Sequence, residues 1–370
     1  LVWDNPYLIL ERAGLKIGII GLHGKFAFYD TINFKMTEGI EARDEEEYLR
    51  QYIKELEPIT DIIILAVHQG MPGRQSTIGL TDVERNLYKD ILLAQNVSGV
   101  DIIVTGHAHQ GTEKALVSNG TIIVSTNATA TELGKLQVMF DTEQKKIVSH
   151  SNELITIYDD ELEDDADMLR EITFWQKEVD QVAKVPIVSS TKKLVRAYGK
   201  ESNMGNLFAD AIEAFDPRID IAVVNSGALR QDIQPGTVTK GDLISAFPFP
   251  NTVVMTKLKG SQVVKIFNHA AGMTNGILQV SKNAKYSFSP RNKAHEIWIK
   301  GKPLKNDDEY WVAAPNFVTQ GGDGYWEFQN SIEYIDTGVL IVDAAEYFLQ
   351  DMEVYEPKYE GRVLVIDSEI

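Results

Sequence analysis

The sequence contains no cysteine. Disulfides and thiolate metal sites are therefore excluded, and a bound metal would have to use His, Asp, Glu, Asn or Gln. Long apolar runs are also missing: no stretch reaches the roughly eighteen residues that would mark a membrane-spanning helix. The N-terminal LVWDNPYLILERAGLK lacks a basic region followed by an apolar one. The chain as given is expected to have no membrane span and to show no signal segment. Basic charge is scarce, with 36 Lys and Arg against 54 Asp and Glu and a net charge of −18. Such a field repels nucleic acid polymers and anionic lipid. A small anionic substrate would then need a local cationic site, such as a bound metal.

At 370 residues the chain exceeds one ordinary domain. Strands are expected at about 7–11, 15–21, 60–67, 100–106, 121–125 and 135–141, with helices at about 43–56 and 81–95. Buried β-branched strands alternating with amphipathic helices predict an α/β layered domain, its sheet covered on both faces, over residues 1–158. Residues 159–185 read as an acidic lead-in and one long helical linker, closed by Pro186. A second unit over 186–370 has a helix at 204–215, a strand at 219–227 and a strand-rich remainder.

Of only seven histidines, three fall at predicted strand ends: His68 in IIILAVHQG, and His107 and His109 in IIVTGHAHQ. In such sheets, chemistry gathers at the C-terminal ends of the strands. Neutral imidazole is a common ligand for divalent transition metals, and alternate residues of an extended segment can point toward two adjacent ions. His23, His150, His269 and His295 are read as structural, although His23 also follows a strand.

In the second unit, NFVTQGGDGYW is a glycine-rich loop flanked by aromatics and carrying one carboxylate, and FPFPN places Phe249 between two prolines. Read from the residues alone, Phe249 and Phe317 would be ordinary core aromatics. They could also clamp a flat base, because stacking tolerates every base. Arg230 offers a fixed planar cation, and Asn225 an amide that both donates and accepts.

ILAVHQG and VDIIVTGHAHQ resemble the two histidine motifs of calcineurin-like metallophosphoesterases, and PYLILERAGLKIGIIGL the segment before them in the 5′-nucleotidase branch. ESNMGNLFADAI (201–212), NSGALRQDIQPGTVTKGDLISAFPFPNT (225–252) and APNFVTQGGDGY (314–325) resemble, in order, the hallmarks of the 5′-nucleotidase C-terminal domain. The resemblance implies a partial metallophosphoesterase α/β sandwich followed by an α+β substrate-binding domain. It implies His68, His107 and His109 as ligands of two divalent ions, Mn or Zn. Phe249 and Phe317 are implied as the stacking pair, Asp323 as the ribose carboxylate, and Asn225 and Arg230 as substrate-binding groups. The family's Asp-x-His, bridging Asp and GNH[DE] motifs have no match, so a catalytic residue is not assigned. A fragment, foremost, a partner segment supplying the missing strands, or a degenerate binder would explain this, and either a complementing N-terminal segment or poor order in residues 1–60 is expected. Ser226 and Ala228 stand where the family's NGGG has glycines, Pro250 where PFGN has glycine, and Tyr198 where many members have arginine.

The activity implied is hydrolysis of nucleotides, of the 5′-nucleotidase, UDP-sugar hydrolase or 2′,3′-cyclic nucleotide phosphodiesterase type, in a periplasmic or cell-surface setting. A non-catalytic nucleotide- or nucleoside-binding protein is the alternative. A thiosulfohydrolase-type relative is a further rival, against which the two aromatic positions speak.

Overall fold

The structure is a computed structural model that describes residues 5–32, 37–70, 81–158, 160, 162–273, 276–290 and 293–366. The chain divides into two compact units, Leu1–Glu163 and Asp164–Ile370.

The first unit contains, in order, β1 (Tyr7–Arg12), β2 (Leu15–His23), α1 (Lys25–Thr31), α2 (Glu45–Leu56), β3 (Ile62–His68), α3 (Asp82–Asn86), α4 (Tyr88–Asn96), β4 (Ile102–Gly106), β5 (Leu116–Ser118), β6 (Thr121–Val124), β7 (Glu132–Asp141) and β8 (Lys146–Thr156). A six-stranded sheet has the order β1-β2-β3-β4-β6-β5. Its centre is parallel from β2 through β6, and antiparallel strands form both edges. Helix α2 starts where the Asp44 side chain accepts from the amides of Glu46 and Glu47, and its first turn is acidic, which suits the positive end of the helix dipole. Leu49, Ile53 and Leu56 recur at helical spacing and bury that face against Ile20, Ile63, Leu65 and Ile103 of the sheet.

The opposite face is only partly covered. Leu136 and Ile147 of the β7–β8 hairpin pack on Ile102, Ile122 and Val124, but Ala66 is exposed and Val104 is 46% exposed. The expectation of a sheet covered on both faces is corrected here. Among the described residues, helices pack on one face, and the hairpin covers only part of the other. The helix expected over 81–95 is broken at Leu87 (φ −101°, ψ 19°). Leu87 is fully buried there, while Asn86 turns aside to donate to Gln110 Oε1.

The second unit contains α5 (Ala166–Ala183), β9 (Pro186–Ser190), α6 (Asn203–Ala214), β10 (Ile221–Asn225), β11 (Gly236–Thr239), α7 (Lys240–Ala246), β12 (Thr252–Lys259), α8 (Gly260–Gly272), β13 (Leu278–Val280), β14 (Ala284–Phe288), β15 (Ala294–Ile299), β16 (Lys302–Pro303), β17 (Glu309–Pro315), α9 (Asn316–Thr319), β18 (Glu333–Leu340), α10 (Ile341–Leu349), β19 (Val354–Tyr355) and β20 (Val363–Val365). Helix α5 opens at Asp165, whose side chain caps it, so the acidic lead-in lies outside the helix. The remainder is strand-rich as expected, with α7, α8 and α10 packed among its strands.

The main sheet of this unit has the order β13-β10-β17-β12-β18. Alternation places Ala222, Val224, Met255 and Ala313 in one core, with α6 and α10, and Ile221, Val223, Val312 and Ala314 in another, with α8. This sheet is packed on both faces.

The ESNMGNLFADAI segment turns out to be a fold-fixing network. Glu201 accepts from the amides of Glu360 and Arg362 and from Asn206, and Asp210 holds the buried Arg362 through two bonds of 2.7 and 2.8 Å. Gly205 is required because a Cβ there would lie 2.3 Å from Gln279 Cγ.

Candidate functional site

In the first unit, register aligns three strand ends: His23 of β2 lies opposite His68 of β3, which lies opposite Gly106 of β4. The ring centroids of His23 and His68 are 5.3 Å apart, and those of His68 and His107 5.0 Å. Two of the predicted ligands are thus adjacent. His109 is close enough to act on His68, whose pKa is held below the ordinary histidine value, first by loss of hydration and then by His23 and His109. At neutral pH His68 is therefore a neutral imidazole. His23, expected to be structural, belongs to this cluster. Its Nδ1 donates to the Gly24 carbonyl at 3.1 Å.

The GHAH turn is strained. His107 (φ 83°) and His109 (φ 54°) both adopt the left-handed conformation that is uncommon for residues other than glycine. Gly70 (φ 81°) makes the turn possible, since a Cβ there would sit 2.8 Å from Ala108 Cβ and 2.9 Å from its amide nitrogen. Behind the turn, the buried Thr105 donates to Asp90 Oδ1 at 2.7 Å, while Asp90 Oδ2 is buried without a hydrogen-bond partner. Burial pushes Asp90 up to about 7, against the opposing effect of Thr105.

Neutral imidazoles suit Mn or Zn, yet among the described residues no group of three or more His, Cys, Asp or Glu is arranged to hold an ion. The residues present do not by themselves fit a dinuclear centre.

In the second unit, every predicted substrate residue comes from one edge of the main sheet. β10 and β17 run parallel, so the loops after Asn225 and Pro315 leave from the same edge. β12 is antiparallel to β17, with Val253 opposite Pro315, so Phe249 enters at that edge too. Asn225 Nδ2 donates to Asp323 Oδ2 at 3.0 Å, whereas Asn225 Oδ1 is buried with no protein partner. The Arg230 guanidinium lies 5.3 Å over the ring of Phe249, which is 37% exposed. Phe317 is half-buried and backs onto the GGDG loop, where a Cβ on Gly322 would be 2.5 Å from its ring. Phe249 and Phe317 make no ring contact with each other among the described residues. Asn225 and Asp323 therefore form one bonded pair, and Arg230 and Phe249 another.

The departures from the family pattern have local explanations. Ser226 Oγ accepts from Gln279 Nε2 at 2.8 Å, and Gln279 also receives the Ser202 amide, so the serine ties two segments together. Tyr198 is exposed and contributes its backbone carbonyl to Ile277. Arg196 donates to the Arg230 carbonyl, bracing the loop that carries that guanidinium.

Residues 181–330 match the 5′-nucleotidase C-terminal domain family. Over 97% of its length the chain is 26% identical to the trifunctional nucleotide phosphoesterase protein YfkN of Bacillus subtilis, of which it spans a quarter (25%). It is 25% identical over 97% of its length to rat 5′-nucleotidase, spanning 67% of that protein. The fold is shared with a 5′-nucleotidase precursor from Thermus thermophilus (TM-score 0.81, 22% identity, 98% of this chain and 75% of that one). It is also shared with the sulfate thiohydrolase SoxB of the same organism (TM-score 0.76, 17% identity, 98% and 65%). The match to the C-terminal domain family thus falls on residues 181–330, the part of the chain where the candidate substrate residues share one sheet edge.

Proposed function

We propose that the chain is the substrate-binding part, with a share of the metal-binding part, of a phosphoesterase that hydrolyses nucleotides. The specific activity would be of the 5′-nucleotidase, UDP-sugar hydrolase or 2′,3′-cyclic nucleotide phosphodiesterase type. The observation that carries this is the convergence of Asn225, Arg230, Phe249, Phe317 and Asp323 on one edge of one sheet, with a buried amide oxygen of Asn225 left without a protein partner. An orphaned buried acceptor is costly unless a ligand donates to it. A ribose hydroxyl or base N–H would do so, beside an Asp323 carboxylate that accepts from hydroxyls and two rings able to stack on a base.

In this proposal residues 1–158 form the metallophosphoesterase domain, 159–185 the linker and 186–370 the substrate-binding domain. His68, His107 and His109 would supply the imidazole share of a divalent metal centre. No catalytic step is assigned to them, because the described residues do not complete such a centre. That same observation favours a second proposal, a protein that binds nucleosides without turning them over. No helix among the described residues is long and apolar enough to cross a membrane, and a periplasmic or cell-surface setting is proposed from the kinship.

The test is chromatographic product analysis with Mn²⁺ or Zn²⁺ added, looking for adenosine and phosphate from AMP, UMP and glucose 1-phosphate from UDP-glucose, and an adenosine monophosphate from 2′,3′-cyclic AMP, beside calorimetric titration with adenosine. Metal-dependent turnover supports the hydrolase. Saturable adenosine binding without turnover supports the binder, and neither turnover nor binding contradicts both.

A further inference from the structure

We infer that His269 is a positioning residue for Asp323, setting the backbone of the loop on which the proposed nucleoside contact depends. The inference rests on the proposed function for what the loop does, but its structural part stands on its own. Asp323 is a non-glycine residue at φ 55°, between Gly321 at φ 93° and Gly324 at φ 81°. A loop with three left-handed residues within four positions does not hold itself. Its internal bonds, from the Gly324 amide to the Gly321 carbonyl and from the Tyr325 amide to the Gly322 carbonyl, leave the Asp323 carbonyl to another partner.

That partner comes from the last turn of α8. His269 Nε2 lies 2.8 Å from the Asp323 carbonyl oxygen, and since a carbonyl only accepts, Nε2 carries the proton. The imidazole stands edge-on to Tyr325, with centroids 4.7 Å apart and planes at 80°. It also fills the space against Gly324, where a Cβ would be 3.0 Å from its Cε1. Asn225 meanwhile holds the Asp323 carboxylate. Asp323 is therefore fixed at both ends, by a strand end through its side chain and by a helix through its backbone. The loop can then present the carboxylate in one orientation without ordering it at each binding event.

Two substitutions separate donation from packing: His269→Gln keeps an Nε2 donor, and His269→Leu keeps comparable bulk without one. In the full chain, hydrogen exchange of the amides of residues 320–325 and adenosine affinity by calorimetry are read together. The expected result is at least tenfold faster loop exchange and at least tenfold weaker adenosine binding in His269→Leu, both largely restored in His269→Gln. Wild-type exchange in His269→Leu overturns the inference, and so does a His269→Gln variant that behaves like Leu. If the wild-type chain itself does not bind adenosine, the proposed function fails, while the exchange comparison still decides the role of His269.

Discussion

The two units place their candidate residues in the same way and surround them differently. Each uses the C-terminal edge of parallel strands, β2-β3-β4 for the imidazoles and β10-β17 for the substrate loops. In the second unit both faces of the sheet are packed, a buried ion pair ties α6 to the C-terminal segment, and hydrogen bonds from Gln279, Arg196, Asn225 and His269 brace the loops. In the first, one face is packed by helices and the other leaves Ala66 and Val104 in contact with solvent, beside histidines held in left-handed backbone. The contrast separates delivery from completion. Strand register alone brings side chains together, but a site becomes self-sufficient only when both faces of the sheet support it.

The largest effect that would sharpen this contrast is expected in the second unit. Asp210→Ala leaves the buried Arg362 guanidinium without its bidentate partner, so the unit should lose about 3–5 kcal/mol in denaturant unfolding. A loss confined to a few tenths would show the network to be dispensable. In the first unit, Asp90 makes stability depend on pH. Its folded pKa of about 7 lies above that of an unfolded carboxylate, so between roughly pH 4 and 7 the folded state keeps a proton that the unfolded state releases. Stability of that unit should therefore fall as pH rises through this window, by at most about 1.4 kcal/mol per unit, and Asp90→Asn should flatten the slope. Unchanged slopes in urea titrations at pH 5 and 7 would show that Asp90 is not buried as described.

A smaller change is expected from Phe317→Ala, which should weaken adenosine binding by about 1–3 kcal/mol. Equal affinity in calorimetry would remove Phe317 from the stacking pair. The smallest effect belongs to the exposed face: Val104→Thr should stay within about 0.5 kcal/mol of wild type, whereas Val224→Thr, in the closed core, should cost about 1–3 kcal/mol. Equal costs would erase the difference between the two sheets.

Much of the central framework was legible in the sequence because it is local. The strands carrying His68 and His107 are short β-branched runs ending at glycines and histidines, and helices α2 and α6 announce themselves by period and caps. What escaped was set by distance in the chain. His23 was read as structural although it too follows a strand, and only parallel register makes it a neighbour of His68. Asp90 went unremarked inside the helix expected over 81–95; the signal was its spacing to Leu93 and Ala94, which puts all three on the buried face. His269 lies on the same face of α8 as Ile266 and Ala270, and its partner Asp323 is 54 residues away, beyond any local pattern. The break at Leu87 and the partly open sheet face likewise arise from packing rather than propensity.

The central claim, that a nucleoside is held at the edge shared by β10, β12 and β17, is tested most directly by photo-labelling the full chain with 8-azidoadenosine and mapping the modified peptides by mass spectrometry. The account predicts label within residues 247–251 or 316–325, competed away by adenosine and lost in Phe317→Ala. Label concentrated elsewhere, or label that adenosine does not displace, would contradict it.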